Sequence, residues 1–208
     1  WRYTTEGDVR SVAISADGQY LAAGSLDKNI YVFERASNTP LWSYEVPYYV
    51  SSIDFSANGS YLVAGTETSG TNMDGGVYLF KIGSSDPVWI YNITGDSYRG
   101  VLSVSISKDG SFIASGSQDA YVRLFSRNSD APLWAYFTDS GASKYVYSVS
   151  LSADGKYLAS GGDDNTVRSF INGLVDRPSI IAYGPRDGNF ADSPVRIGWY
   201  AGSDDVAN

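Results

Sequence analysis

The sequence contains neither histidine nor cysteine. The chain therefore has no imidazole general base, no Ser-His-Asp triad, no thiolate nucleophile and no disulfide, and it lacks the usual ligands of zinc and haem iron. Basic residues are also scarce, since 15 Lys and Arg stand against 23 Asp and Glu. The resulting net charge of −8 argues against nucleic-acid and anionic-membrane binding. No apolar run is long enough to span a bilayer, so this segment is not expected to insert into a membrane.

The composition is that of a folding chain. Of 208 residues, 43% are hydrophobic, 14% aromatic and only 18% charged, which suits one domain and at most a fragment of another. The chain opens with Trp1 and its one methionine is Met73, so we expect a processed product or an excerpt of a longer protein.

Four segments of the chain repeat one pattern. Each contains a tight turn with a glycine, and these glycines are separated by 41, 51 and 45 residues: Gly18, Gly59, Gly110 and Gly155. A Trp-x-Tyr motif keeps the same phase, with spacings of 41, 47 and 45, at Trp1, Trp42, Trp89 and Trp134. Two markers with matching periods indicate a repeat architecture.

Each repeat predicts four strands and no helix. Val12 and Ile14 alternate with serines, the Asp-Gly or Asn-Gly turns suit a hairpin, and the third strand, such as residues 30–33, is apolar on both sides. Four-stranded sheets repeated every 40 to 50 residues predict an all-β fold, a β-propeller of four-stranded antiparallel blades with four repeats visible, either complete or part of a larger ring.

The run SVAISADGQYLAAGSLD at residues 11–27 resembles the WD-repeat and YVTN-type propeller families, and the Leu-Trp strands at 41–42 and 133–134 resemble quinoprotein-type repeats. The resemblance covers residues 1–173. The Gly-His dipeptide of WD repeats is missing, and their Trp-Asp ending is replaced by Val-Phe, Leu-Phe or Ser-Phe. By this resemblance Asp27, Asp119 and Asp163 stand where the family has its aspartates, and we expect them to cap backbone amides in turns.

Domain bounds follow from the tryptophans. Repeats are predicted at about 1–40, 41–88, 89–133 and 134–173, followed by a linker and tail at 174–208. The tail resembles the start of a fibronectin-type or Ig-like sandwich, and the alternative is a segment packed on the propeller. The fourth repeat is expected to end on its third strand, leaving an open edge that residues 1–4 fill as a latch. The other reading is a partial ring completed by another copy or by further blades.

Loops on one face of the predicted propeller break the repeat. The second repeat has a longer loop before its third strand, and the loops that precede the first strands carry tyrosines beside Arg or Lys. Such residues suit a recognition surface, although the rings alternatively pack down over blade edges. The candidate binding residues are Tyr48, Tyr49, Met73, Asp74, Tyr98, Arg99, Lys144 and Tyr145.

No catalytic, cofactor or metal site is predicted. The carboxylates recur in repeated turns, and neither residues 163–165 nor 74–76 have the alternating ligand spacing of a calcium loop. The preferred function is a non-catalytic scaffold or binding module, with a protein partner or self-association through the loop face or an open blade edge. The alternatives are a glycan-binding propeller, or an enzyme that is quinoprotein-like or carbohydrate-active.

Weaker sequence signals indicate the cellular compartment. Five lysines, acidic charge, the sequons at Asn58 and Asn92 and the sandwich-like tail favour a microbial cell-surface or extracellular protein. A cytoplasmic scaffold is the alternative, since absent cysteine does not separate the two compartments.

Overall fold

The described part of the chain is built from β-strands. The computed structural model describes residues 1–67, 74–93, 99–138 and 145–173, together with the backbone of residues 180–183. These residues form four four-stranded antiparallel sheets in which strands that are neighbours in sequence pair, and they contain no helix. The architecture predicted from the sequence is confirmed: the sheets are blades of a β-propeller.

The strands of the first sheet are β1 (Val9–Ile14), β2 (Tyr20–Ser25), β3 (Asn29–Glu34) and β4 (Trp42–Glu45). Those of the second are β5 (Tyr49–Phe55), β6 (Tyr61–Glu67), β7 (Gly75–Lys81) and β8 (Pro87–Ile93). Those of the third are β9 (Val101–Ile106), β10 (Phe112–Ser117), β11 (Tyr121–Ser126) and β12 (Pro132–Phe137). Those of the fourth are β13 (Val146–Leu151), β14 (Tyr157–Gly162), β15 (Val167–Ile171) and β16 (Ile180–Tyr183).

The prediction that the fourth repeat ends on its third strand is wrong. β16 pairs with β15, and Ile181 and Tyr183 lie opposite Ser169 and Val167. Trp42 and Tyr44 hold the matching register in the first sheet, opposite Val32 and Ile30. An Ile-x-Tyr segment thus takes the Trp-x-Tyr position, and the missing tryptophan hid it from the sequence comparison. This strand is no part of a separate sandwich, and the rest of the tail, 174–179 and 184–208, lies outside the described residues.

The turn between the first two strands of each sheet is fixed by side chains. Ser15 donates its hydroxyl proton to Asp17 Oδ1 at 2.6 Å, and the same carboxylate oxygen accepts the amide of Gln19 at 3.0 Å. Gly18 follows with a φ of 67°, in the left-handed region where a side chain is strained. Ser56 with Asn58, Ser107 with Asp109 and Ser152 with Asp154 repeat these bonds, so the Ser-x-Asp/Asn-Gly motif is a structural element.

Adjacent sheets pack through a glycine on the second strand. A Cβ placed on Gly24 would lie 2.4 Å from Val50 Cγ1, and one on Gly65 would lie 2.7 Å from Val101 Cγ1. Gly116 meets Val146 Cγ1 in the same way, at 2.6 Å. The valine of one sheet therefore fills the space left by the glycine of the sheet before it, which is why the second strands are rich in small residues.

The tryptophans bind each sheet to the next along its outer side. Trp42 packs on Phe80 at 5.4 Å between ring centroids and donates its indole N–H to the carbonyl of Ile82 at 2.8 Å. Trp89 packs on Phe125 at 5.5 Å between ring centroids and donates its indole N–H to the carbonyl of Arg127 at 2.8 Å. Each outer strand thus belongs by hydrogen bonding to its own sheet and by ring packing to the following one.

Candidate interaction surface on the loop face

Two kinds of loop meet on one side of the propeller. The amide of Leu26, in the β2–β3 turn, donates to the carbonyl of Asp8 at 2.9 Å, and the amide of Val46, after β4, donates to the carbonyl of Lys28 at 2.8 Å. In the third sheet the amide of Gln118 donates to the carbonyl of Gly100 at 2.8 Å. The loops before the first strands and the turns between second and third strands therefore share a surface, here called the loop face.

A cluster of three side chains marks the loop face at the second sheet. Tyr48 donates its hydroxyl proton to Asp74 Oδ2 at 3.5 Å, a long bond, and Asp74 Oδ1 lies 3.7 Å from Nη1 of Arg99. Burial together with the neighbouring Asp74 charge raises the pKa of Tyr48, so the phenol stays a donor at neutral pH. Residues that precede three different strands are thereby joined by charge and hydrogen bonding.

Arg99 does not lie where an exposed recognition residue would. Its side chain is 8% exposed, whereas that of Asp74 is 42% exposed. The carbonyl of Arg99 lies 3.0 Å from the position of a Cβ on Gly75, so the two backbones approach closely there. Of this ion pair, the carboxylate of Asp74 is therefore the group exposed to solvent.

A second ion pair on the loop face was not foreseen. Arg10 Nη2 lies 3.9 Å from Glu67 Oε1, with Arg10 exposed and Glu67 largely covered. Burial raises the pKa of Glu67, while the Arg10 charge opposes that shift. The repeat pattern offered no signal for this pair, because Glu67 aligns with Leu26 and Gln118, one residue before the turn aspartates of the first and third repeats.

The aspartates of the β2–β3 turns are structural, as the sequence comparison predicted for Asp27 and Asp119. Asp27 accepts the amide of Asn29 at 2.9 Å, and Asp119 accepts that of Tyr121 at 3.1 Å. In the fourth sheet the equivalent residue is Asp164, which accepts the amide of Thr166 at 3.0 Å, and not Asp163. Asp163 also caps a backbone amide, that of Tyr145, at 2.7 Å, because it stands one residue earlier in the turn.

Other candidate tyrosines are partly covered. Tyr49 opens β5 and is half-buried, and Tyr145 is half-buried with its ring 6.1 Å from that of Tyr147. Partial burial leaves both interpretations open for these two residues, a recognition surface and rings packed over blade edges. Met73, Tyr98 and Lys144 lie outside the described residues.

Exposed carboxylates lie on the loop face at the first sheet. Glu6 and Asp8 lie before β1, and Glu45 ends β4, all exposed on the loop face. The exposed cations nearby are Lys28 and Arg10, and Arg10 is engaged by Glu67. In the described part of the chain this surface therefore offers an excess of negative charge.

A family comparison agrees with the fold. The model of the WD domain, G-beta repeat, matches residues 2–34, 38–81, 88–126 and 135–170, which is most of the chain. The chain belongs to the WD-repeat family. No curated protein gave a significant match. Proteins of this family are propeller scaffolds that mediate protein–protein interaction, and the chain shares that general role.

This WD-repeat protein shows little that would hold a small ligand in the part described. Among those residues no group of three or more acidic side chains has the arrangement of a metal site. A depression of about 170 Å³ lined by Phe112, Arg127 and Leu133 is smaller than the roughly 300 to 1,000 Å³ of small-molecule pockets. No helix within the described ranges has the length and apolarity to cross a membrane.

Proposed function

We propose that this WD-repeat protein is a scaffold that binds a basic segment of a partner protein on its loop face. The observation that carries the proposal is the Tyr48–Asp74–Arg99 cluster, in which a partly exposed carboxylate lies between the buried guanidinium of Arg99 and the hydroxyl of Tyr48. A fixed carboxylate binds a Lys or Arg side chain without first having to be ordered, which lowers the entropic cost of association.

The surrounding charge supports a cationic partner. Glu6, Asp8 and Glu45 add negative charge to the loop face, and complementary charge raises association rates and sets specificity. A non-catalytic role and an extracellular or cell-surface setting accompany this proposal as predictions from composition.

The test is selection of binding peptides from a random library displayed on phage, followed by titration of one selected synthetic peptide. The wild-type chain is expected to select peptides enriched in Lys and Arg. Affinity for the synthetic peptide should fall when salt is raised from about 0.1 to about 1 M, because the Debye length shrinks from about 10 to about 3 Å.

Two matched variants locate the surface. Glu6→Gln/Asp8→Asn/Glu45→Gln removes three charges from the loop face and should weaken peptide binding about tenfold or more, at roughly 1 kcal/mol or less for each exposed pair. Glu34→Gln/Asp86→Asn/Asp130→Asn removes three exposed charges at the opposite ends of the strands and should leave binding unchanged. Selection of neutral or acidic peptides, or equal effects of both variants, would reject the proposal.

A further inference from the structure

One turn between first and second strands carries an amide where the other three carry a carboxylate. The residue before the turn glycine is Asp17, Asp109 and Asp154 in the first, third and fourth sheets, and it is Asn58 in the second. An asparagine followed by glycine loses its side-chain amide readily, because the glycine has no side chain to hinder attack by its own nitrogen. The pair Asn58 and Gly59 is therefore chemically labile in a way that its counterparts are not.

The reaction at such a pair is an attack of the main chain on the side chain. The nitrogen of Gly59 forms a bond to Cγ of Asn58 and loses its proton, while the side-chain nitrogen leaves as ammonia. Water then opens the resulting five-membered imide ring at either of its two carbonyl carbons. One product is aspartate, and the other is isoaspartate, in which the main chain is one carbon longer. Water is the only co-reactant, and nothing is oxidised or reduced.

The folded turn engages both reacting groups elsewhere. The amide of Gly59 donates to the carbonyl of Ser56 at 2.9 Å, and this bond must break before the nitrogen can attack. Oδ1 of Asn58 accepts the hydroxyl of Ser56 at 2.8 Å and the amide of Ser60 at 3.1 Å. The side-chain amide is thereby held over the turn.

The shape of the turn also separates the two groups. The hydrogen bond between Gly59 and Ser56 spans four residues, and the φ of Asn58 lies outside the left-handed region, as a type I turn requires. In such a turn ψ of the third residue, here Asn58, is about 0°. Its side chain is then rotated away from the nitrogen of Gly59. Ring closure requires a large rotation about the Cα–C bond, and that rotation opens the turn.

Contacts on both sides hold this turn closed. The amide of Ala57 donates to the carbonyl of Lys108 in the third sheet at 3.0 Å. On the other side, a Cβ placed on Gly59 would lie 3.2 Å from both Ser15 Cβ and Tyr20 Cδ2 of the first sheet. Opening of the turn disturbs contacts with two neighbouring sheets, so we expect it to be rare in the native state.

The two products differ in how they fit the closed turn. Aspartate fits, because Asp109 accepts the hydroxyl of Ser107 and the amide of Ser111, both at 2.9 Å, just as Asn58 accepts its two donors. Isoaspartate adds one carbon to the main chain directly before Gly59, where the first sheet leaves no room for it.

We propose that Asn58 is a site of spontaneous deamidation that the folded turn protects and that opening of the turn exposes. The aspartate product gives the second sheet the same turn as the other three, whereas isoaspartate prevents the turn from closing. Asn58 is exposed, so water reaches the imide ring once it has formed. Deamidation at this residue therefore marks chains that have opened here.

The test compares the folded chain with the chain in urea at the same mildly alkaline pH. Incubation in water enriched in oxygen-18 labels the new carboxyl group, and peptide mapping by mass spectrometry locates the label. The rate at Asn58 should be about tenfold or more lower in the folded chain. Asn172, in the other Asn-Gly pair of the sequence, provides a reference rate for the unfolded chain in the same sample. Equal rates at Asn58 in both states, or no label there in urea while Asn172 is labelled, overturns the proposal.

Two matched variants show whether the protection is local. Ser56→Ala removes the hydroxyl that bonds to Asn58 and that accepts the amide of Tyr61 at 3.0 Å. Ser107→Ala removes the equivalent two bonds from the turn of the third sheet, and both serines are 0% exposed. Under native conditions Ser56→Ala should accelerate labelling at Asn58 about tenfold, and Ser107→Ala should accelerate it much less. Equal acceleration by both would mean that global unfolding controls the reaction, and would contradict local protection.

The stability of the two products tests how the turn distinguishes them. Asn58→Asp stands for the aspartate product and should have a urea midpoint equal to or above that of the wild type, because the carboxylate accepts the same two bonds with a full charge. The isoaspartate form, separated by chromatography after deamidation in urea, should refold with a lower midpoint. An isoaspartate form as stable as the wild type would overturn this part of the proposal.

Discussion

Asp119 and Arg123 show that the turn aspartate has a different side-chain partner in different sheets. Arg123, 8% exposed, donates from both terminal nitrogens to Asp119, at 3.0 and 2.5 Å. In the first sheet the equivalent Asp27 instead accepts the hydroxyl of Tyr31 at 2.9 Å. The first, third and fourth repeats keep this turn aspartate, and the third strand supplies either a buried guanidinium or a buried phenol to it.

Asp119→Ala should therefore destabilise the chain by about 3–5 kcal/mol, because it leaves the guanidinium of Arg123 buried without its carboxylate. Arg123→Tyr copies the pairing of the first sheet and should cost much less. Urea unfolding of both variants measures the difference. Equal losses would show that the ion pair has no special part in this turn.

The turn aspartates predict how stability depends on pH. Hydrogen bonds from neighbouring serines, with backbone amides, hold the pKa of Asp17, Asp109 and Asp154 below the ordinary 3.8. A lowered pKa in the folded state stabilises the fold above the ordinary value, and that stabilisation is lost as the pH falls through the lowered values.

The variant Asp17→Asn/Asp109→Asn/Asp154→Asn should fold, because Asn58 already makes the same bonds in the second sheet. Its urea midpoint should fall less than that of the wild type between neutral pH and a pH below 3.8. An unchanged fall would mean that other carboxylates govern acid unfolding.

At the residue scale, sequence reasoning was most successful where a side chain acts on its own turn. The Asp-Gly and Asn-Gly turns predicted the positive φ of Gly18, Gly59, Gly110 and Gly155. Burial of Arg99 was not predictable, since it depends on the approach of Gly75 from another strand. The same holds for Glu67, whose partner Arg10 belongs to a different sheet.

At the element scale, the neighbouring sheet limits the size of the side chains that the second strand of a sheet can carry. A Cβ added to Gly116 would lie 2.6 Å from Val146 Cγ1, whereas one added to Gly161 would meet no atom of the described residues within 4 Å. The two glycines hold the same position in successive repeats, so they compare a packed site with an open one.

Gly116→Ala should lower the free energy of unfolding by roughly 1–3 kcal/mol through overpacking. Gly161→Ala should be neutral or slightly stabilising, because alanine restricts the unfolded chain more than glycine does. Comparison of the two by urea unfolding isolates the contact between sheets. Equal effects would contradict the packing described for the third and fourth sheets.

Strand β16 is an element that the repeat pattern of the sequence did not predict. The repeats were aligned through tryptophan, and Ile181 stands where tryptophan would. A strand edge accepts any extended segment with available backbone groups, so its identity depends on hydrogen bonding more than on a particular side chain.

At the scale of the whole molecule, the account rests on four sheets stacked side by side in chain order. Repeat proteins of this kind gain stability from contacts between neighbours, so each sheet is buried by the next. The proposed function depends on this order, because the loop face needs the sheets aligned.

The most direct test is a nuclear Overhauser spectrum of the chain, with methyl groups labelled in Val, Leu and Ile. The account predicts cross-peaks from the Hα protons of Gly24, Gly65 and Gly116 to the methyl groups of Val50, Val101 and Val146, respectively. Absence of these peaks, with methyl contacts between the first and third sheets instead, would show sheets packed face to face as a sandwich and would contradict the propeller.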